Sequence, residues 1–142
     1  MNARKKKSLR LGGMFAALIL AASSGYAGDV KVTLVGNQEV PPVTTSATGT
    51  GTITVKDDKS VSGSVTTKDV VGVAAHIHLA PAGKNGPPII TLTKTSEGVW
   101  TVPEGSKLTD EQYAEFKSGN LYVNVHSAAN KGGEIRGQLL PK

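Results

Sequence analysis

Three histidines are the residues of this chain best suited, by type and spacing, to do chemistry. His76 and His78 stand two apart in AAHIHLA, and His126 closes LYVNVHS. Residues two apart on a strand share a face, so His76 and His78 point together, away from the apolar side formed by Ala75, Ile77 and Leu79. In the second segment Leu121, Val123 and Val125 form the apolar side, which leaves Tyr122, Asn124 and His126 on the other. If the two strands lie in one sheet, three imidazoles converge on one outer surface. Neutral imidazole suits copper, zinc, nickel and iron, and an all-nitrogen set in an oxidising compartment favours copper, with zinc second. Structural zinc sites close with four protein ligands, often cysteine; three histidines leave one position open. The chain has no cysteine. The plainer alternative is a strand whose polar face is simply wet, with histidines that hold nothing.

Other residues could support such a site. Glu134 and Arg136 in GGEIRGQLL alternate with Ile135 and share a face, where they could form a network or orient a histidine. Read plainly, they are a surface ion pair worth less than about 1 kcal/mol. Tyr122 and Asn124 lie beside His126 and could donate to a bound oxygen, and Glu39 stands among turn residues in GNQEVPP. The glycine-bearing stretch 81–88 opens no helix, so it is a structural loop rather than a phosphate cradle. No nucleophile elbow or pair of catalytic carboxylates is present. No catalytic residue is assigned, and any activity would be copper-dependent redox chemistry at the open position.

The elements that must position these residues are strands. Valine, threonine and glycine dominate, and period-2 alternation recurs at 30–35, 48–56, 61–68, 71–79, 89–92, 99–102, 121–127 and 134–140. One helix interrupts them. Thr109 is a good N-cap with Gln112 at the third helical position, Asp110 and Glu111 lie in the first turn, and Gly119 suits the exit. The pattern predicts an all-β, antiparallel sandwich of about eight strands with one short helix.

Net charge is +5 over 142 residues, which by itself invites a polyanion partner. Five of the 16 basic residues, however, lie in the first ten positions (Arg4, Lys5, Lys6, Lys7, Arg10), and the remainder carries 11 charges of each sign. That removes the electrostatic case for nucleic acid. The basic start, the apolar run LGGMFAALILAA and the small residues SSGYA have the form of a secretory signal, with Gly25 and Ala27 placing cleavage after Ala27. The apolar run is shorter than the roughly 20 residues a spanning helix needs, and no cysteine follows it for lipid attachment. The expected organisation is a signal peptide, 1–27, and one exported domain, 28–142, in the periplasm or outside the cell, with no membrane span after cleavage.

The stretches VTLVGNQEVPPVTTSATGTGTITV, AAHIHLAPAGKNGPPIITL and GNLYVNVHSAANKGGEIRGQLLP resemble the CHRD (chordin) domain family, and together they cover nearly all of 33–141. The helix TDEQYAEFKSG also looks like that family's pattern. The resemblance implies an immunoglobulin-like, Greek-key β-sandwich but no particular activity, since the family includes both animal chordin, a secreted antagonist of growth factors, and small exported bacterial proteins. His76, His78 and His126 stand in its HIH and NVH motifs, and Glu134 and Arg136 in its GEIRGQ motif. The arrangement is also similar to Cu/Zn superoxide dismutase, although this chain lacks that enzyme's cysteines and remaining histidine ligands, which speaks against dismutase activity.

The leading expectation is therefore an exported protein that binds copper, or zinc as second choice, through His76, His78 and His126. Tyr122, Asn124, Glu134 and Arg136 would support the ligands. The competing one, by analogy with chordin, is an extracytoplasmic interaction module without metal, whose partner is another exported protein, the envelope or a second copy of itself.

Overall fold

The alternating segments build nine strands, one more than their sequence pattern reveals. The computed structural model describes residues 26–142. Of the expected signal segment, everything up to residue 25 lies outside the described residues, and the expected cleavage point after Ala27 falls within the first strand. The strands are β1 (Tyr26–Val35), β2 (Thr48–Lys56), β3 (Val61–Lys68), β4 (Gly72–Leu79), β5 (Pro88–Thr91), β6 (Thr93–Ser96), β7 (Val99–Thr101), β8 (Leu121–Ser127) and β9 (Ile135–Leu139). Helix α1 (Asp110–Lys117) lies between β7 and β8.

All neighbours are antiparallel, in the order β5-β4-β8-β9-β1-β2-β3-β7-β6. The strand that sequence did not announce is β6, because Thr93, Lys94, Thr95 and Ser96 are all exposed and show no alternation. Only Leu92 separates β5 from β6, and its N–H donates to the Ala75 carbonyl at 2.9 Å. The two ends of the sheet are thus consecutive stretches of one bent segment, and the sheet curls nearly into a barrel. The expected all-β antiparallel architecture with one helix is the one found.

The inside is aliphatic. Leu34, Ile53, Val65, Val123, Val125 and Ile135 are fully buried, with Trp100 and Phe116 as the large fillers. In β2 the inward positions alternate with threonines, and two of them are glycines. A Cβ at Gly51 would lie 2.7 Å from Val65 Cα, so glycine is what lets β2 and β3 sit this close. Helix α1 begins as its sequence predicts: Gln112 N–H donates to Thr109 Oγ1 at 3.1 Å, and Thr109 N–H to Gln112 Oε1 at 2.9 Å. Gly119 takes φ +78° just past the helix. Phe116 from this helix enters the core. No helix among the described residues is long and apolar enough to cross a membrane.

Candidate metal centre

Strand β8 is the middle of the site, paired on one side with β4 and on the other with β9. Register places Ala74 opposite His126, His76 opposite Asn124, and His78 opposite Tyr122. Across the other ladder Asn124 faces Arg136, and Tyr122 faces Gln138. The alternation of both strands therefore does what it predicts, setting the three histidines on one outward face with Tyr122, Asn124 and Arg136.

That face is not wet, as a surface strand would be. Tyr122 is 2% exposed, Asn124 and Arg136 1% each, and His78 8%, while His76 and His126 are half-buried. Three connections roof it: residues 36–47 between β1 and β2, 80–87 between β4 and β5, and 128–134 between β8 and β9. Asn85 Nδ2 donates to the Val40 carbonyl at 2.7 Å, which ties the first of these to the second.

Backbone carbonyls in these connections fix the imidazole tautomers. The Gly86 carbonyl accepts from His78 Nδ1 at 2.9 Å, and the Lys131 carbonyl accepts from His126 Nδ1 at 2.8 Å. A carbonyl cannot donate, so both Nδ1 atoms carry the proton and both Nε2 atoms present lone pairs. His126 Nε2 then accepts from His76 Nδ1 at 2.9 Å. His78 Nε2 is buried and has no hydrogen-bond partner. This is how metal-binding histidines are commonly held, with the far ring nitrogen tied to a carbonyl so that the near one keeps its direction.

One ring nitrogen from each histidine lies within 4.8 Å of the others. Bonds of 2.0–2.1 Å place two tetrahedral ligand nitrogens about 3.3 Å apart, so the three nitrogens are grouped closely enough that they could hold an ion after some adjustment. Burial is the largest influence holding the His78 pKa below its ordinary value, with His126 adding to it and the Gly86 carbonyl opposing. His76 is lowered likewise, first by burial and then by His126 and His78. Both shifts favour the neutral ring, the form that binds a metal.

Behind His78 runs a column of planar groups. Tyr122 stacks on His78 with ring centroids 4.8 Å apart and planes 3° from parallel. The Arg136 guanidinium carbon lies 3.4 Å from the Tyr122 centroid on the same column. Tyr122 Oη also accepts from Gly86 N–H at 3.2 Å, so both rings bond to one residue, on either side of its Cα.

Glu134 and Arg136 do not pair with each other. Arg136 donates to the carbonyls of Lys84 at 2.9 Å and Pro81 at 3.1 Å, and to Gln138 Oε1 at 3.3 Å. It fastens the 80–87 connection over the sheet, so the surface ion pair open to the sequence is replaced by a buried clamp. Glu134 accepts from Ser127 Oγ at 2.7 Å, Asn130 Nδ2 at 3.1 Å and Thr45 Oγ1 at 2.9 Å. Burial would raise its pKa, but those three donated bonds together bring it below the ordinary value. Glu134 thus staples the connection that offers the Lys131 carbonyl, and acts on the histidines only at that remove.

The residue whose role sequence understated is Glu39. It is 4% exposed, its Oε1 has no hydrogen-bond partner, and it lies against Asn124 and Arg136. Burial, partly offset by Asn124 and Arg136, pushes its carboxyl up to about 7. A lone acid in a proline-rich turn carries no periodicity, so nothing in the sequence marks it as buried.

The family model described as the CHRD domain matches residues 30–139 of the chain. No curated protein and no solved structure matched it.

Proposed function

We propose, for a chain that belongs to the CHRD-domain family, that the domain binds a transition-metal ion through His76, His78 and His126. The observation that carries this reading is His78. Its Nδ1 proton is committed to the Gly86 carbonyl, its Nε2 lone pair is buried and unpartnered, and two further imidazoles stand beside it. A buried acceptor left unpaired costs on the order of 1–3 kcal/mol, and a bound cation removes that cost. Copper is the first choice, because imidazole-only sites follow the order of affinity that peaks at copper, and zinc is the second. The ion would be held for storage or transfer, or would supply redox chemistry at a position that three ligands leave open. Tyr122 and Arg136 orient His78, and Glu134 orients His126 through the 128–134 connection. Residues 1–27 direct export and the functional chain is 28–142, located in the periplasm or outside the cell.

Calorimetric titration of the metal-free protein with Cu(II) and Zn(II) tests the site. A single tight equivalent that His78→Ala abolishes supports it. Equal, weak binding by wild type and variant overturns it. Export is tested by N-terminal sequencing of protein recovered outside the cytoplasm, which should begin at Gly28.

A second reading, an interaction module, draws on Val71 and Val73, which are 76% and 60% exposed where β4 begins, next to the histidine face. A large aliphatic pair in water suits contact with another exported protein or a second copy of the chain. Unchanged mass in light scattering after Val71→Ser/Val73→Ser substitution, with the wild type monomeric, would remove the self-association form of this reading.

A further inference from the structure

Three buried side-chain atoms lack hydrogen-bond partners among the described residues: Glu39 Oε1, Asn124 Oδ1 and His78 Nε2. They belong to neighbours in a line. Asn124 is the neighbour whose amide acts on both of the others, lowering the Glu39 pKa and raising that of His78. Gly133 shapes the junction: a Cβ there would lie 2.6 Å from Asn124 Nδ2 and closer still to Glu39 Oε1, so both groups border the space its missing side chain leaves. Unpaired buried polar atoms are rare, and three in one cluster point to a group built for more than packing.

We infer that Glu39 is a positioning residue of the histidine site, its protonation state relayed through the Asn124 amide to His78 Nε2. The consequence for metal rests on the reading proposed above; the coupling itself does not. An amide offers a donor at one end and an acceptor at the other. With Glu39 ionised, its carboxylate attracts Asn124 Nδ2; the two groups border the same space beside Gly133, and Nδ2 donates to the Gly132 carbonyl at 3.4 Å. The amide oxygen is then the end left for the imidazole, and the His78 Nε2 lone pair is free. With Glu39 protonated, its hydroxyl donates to Asn124 Oδ1, the amide turns over, and Nδ2 donates to His78 Nε2. That second state occupies the lone pair a metal needs, because the other ring nitrogen already carries the proton given to Gly86.

The surroundings allow this exchange close to neutrality. The groups facing Glu39 are Asn124 and Arg136 from the sheet, Asn85 from the 80–87 connection, and Asn130 from the 128–134 connection. Arg136 alone among them is charged, and its N–H groups are spent on the Lys84 and Pro81 carbonyls. Glu39 therefore has no dedicated counter-ion, and burial lifts its carboxyl to about 7.

The test is nuclear magnetic resonance of the metal-free protein, following the Glu39 carboxyl carbon and the His78 ring nitrogens against pH. Both should report one transition near neutral pH in wild type. The His78 step that coincides with the Glu39 transition should vanish in Glu39→Gln and Asn124→Ala, leaving only the ring's own protonation at lower pH, and should return in Glu39→Asp. Wild-type data in which Glu39 titrates in the ordinary carboxylate range, or in which His78 does not move with it, overturn the inference without any variant. Zinc titration then separates the two readings. If zinc binds, Glu39→Gln should remove about a tenfold loss of affinity per pH unit that wild type shows just below the Glu39 transition, leaving only the loss that comes from protonation of the histidines. If wild type binds no zinc or copper, the three-histidine reading fails while the resonance data still decide the coupling.

Discussion

Tyr122 lies flat on His78, planes 3° apart, and carries the Arg136 guanidinium on the same column. Three adjacent strands, β4, β8 and β9, each supply one member. Ladder register puts His78 directly opposite Tyr122, whereas Arg136 reaches Tyr122 from the neighbouring row. The column keeps the imidazole from turning about its bond to the strand. The Gly86 carbonyl, which accepts from His78 Nδ1 while the Gly86 N–H donates to Tyr122 Oη, fixes the one remaining rotation. The deepest histidine is thus held in position by packing before any ion arrives.

Removing the hydroxyl and removing the ring should have different costs. Tyr122→Phe keeps the stack and leaves Gly86 N–H without its acceptor, a loss of about 1 kcal/mol. Tyr122→Ala opens a cavity between His78 and Arg136 and should lose about 3–5 kcal/mol. Urea denaturation at neutral pH measures both. Equal losses would place the whole contribution in the hydroxyl and contradict the column.

Acid should weaken the metal-free fold through His76 and His78. Their pKa values are held down, chiefly by burial, so the unfolded chain takes up protons before the folded one does. The stability they contribute is present above the unfolded value near 6.5 and is lost as pH falls from there through the depressed folded values. The double variant His76→Gln/His78→Gln should therefore gain stability relative to wild type as pH falls below about 6.5, whatever other carboxyls contribute to both proteins. An equal decline in the double variant would assign the acid sensitivity to other groups.

How much of this was legible in sequence differs from element to element. The faces of β4 and β8 were readable, because aliphatic residues at every second position leave His76, His78, Asn124 and His126 no other side. Burial of that face was not readable. Its cover comes from connections that act through the carbonyls of Gly86, Lys131, Lys84 and Pro81, and a carbonyl leaves no trace in residue type. Alternation also suggested that Glu134 and Arg136 act together. But β9 begins at Ile135, so Glu134 precedes the strand and turns to Ser127, Thr45 and Asn130 instead. Strand β6 escaped because a fully exposed strand has no apolar period to detect.

Glu39 should cost stability as pH rises. Its carboxyl goes from an ordinary 4.5 to about 7 on folding, so the unfolded chain ionises first. The folded state loses on the order of 3 kcal/mol between those two values and little beyond them. Glu39→Gln is neutral at every pH, so its stability relative to wild type should climb across that window and then level. Measuring both proteins by denaturation from acid to mildly alkaline pH checks this. A flat difference would mean that the carboxyl ionises freely in the fold.

Gly133 and Gly132 make a paired test of the roof over the site. Gly133 takes φ +126°, where other residues are strained, and a Cβ there would push into Glu39 and Asn124. Gly132 meets nothing within 4 Å. Gly133→Ala should lose about 2 kcal/mol or more, combining backbone strain with displacement of two buried polar groups. Gly132→Ala should stay within about 0.5 kcal/mol. The same pair distinguishes site from scaffold: because Gly133 borders the groups next to His78, its substitution should weaken metal affinity even where the protein remains folded. If Gly133→Ala folds and binds Cu(II) as wild type does, Asn124 and Glu39 have no bearing on the histidines.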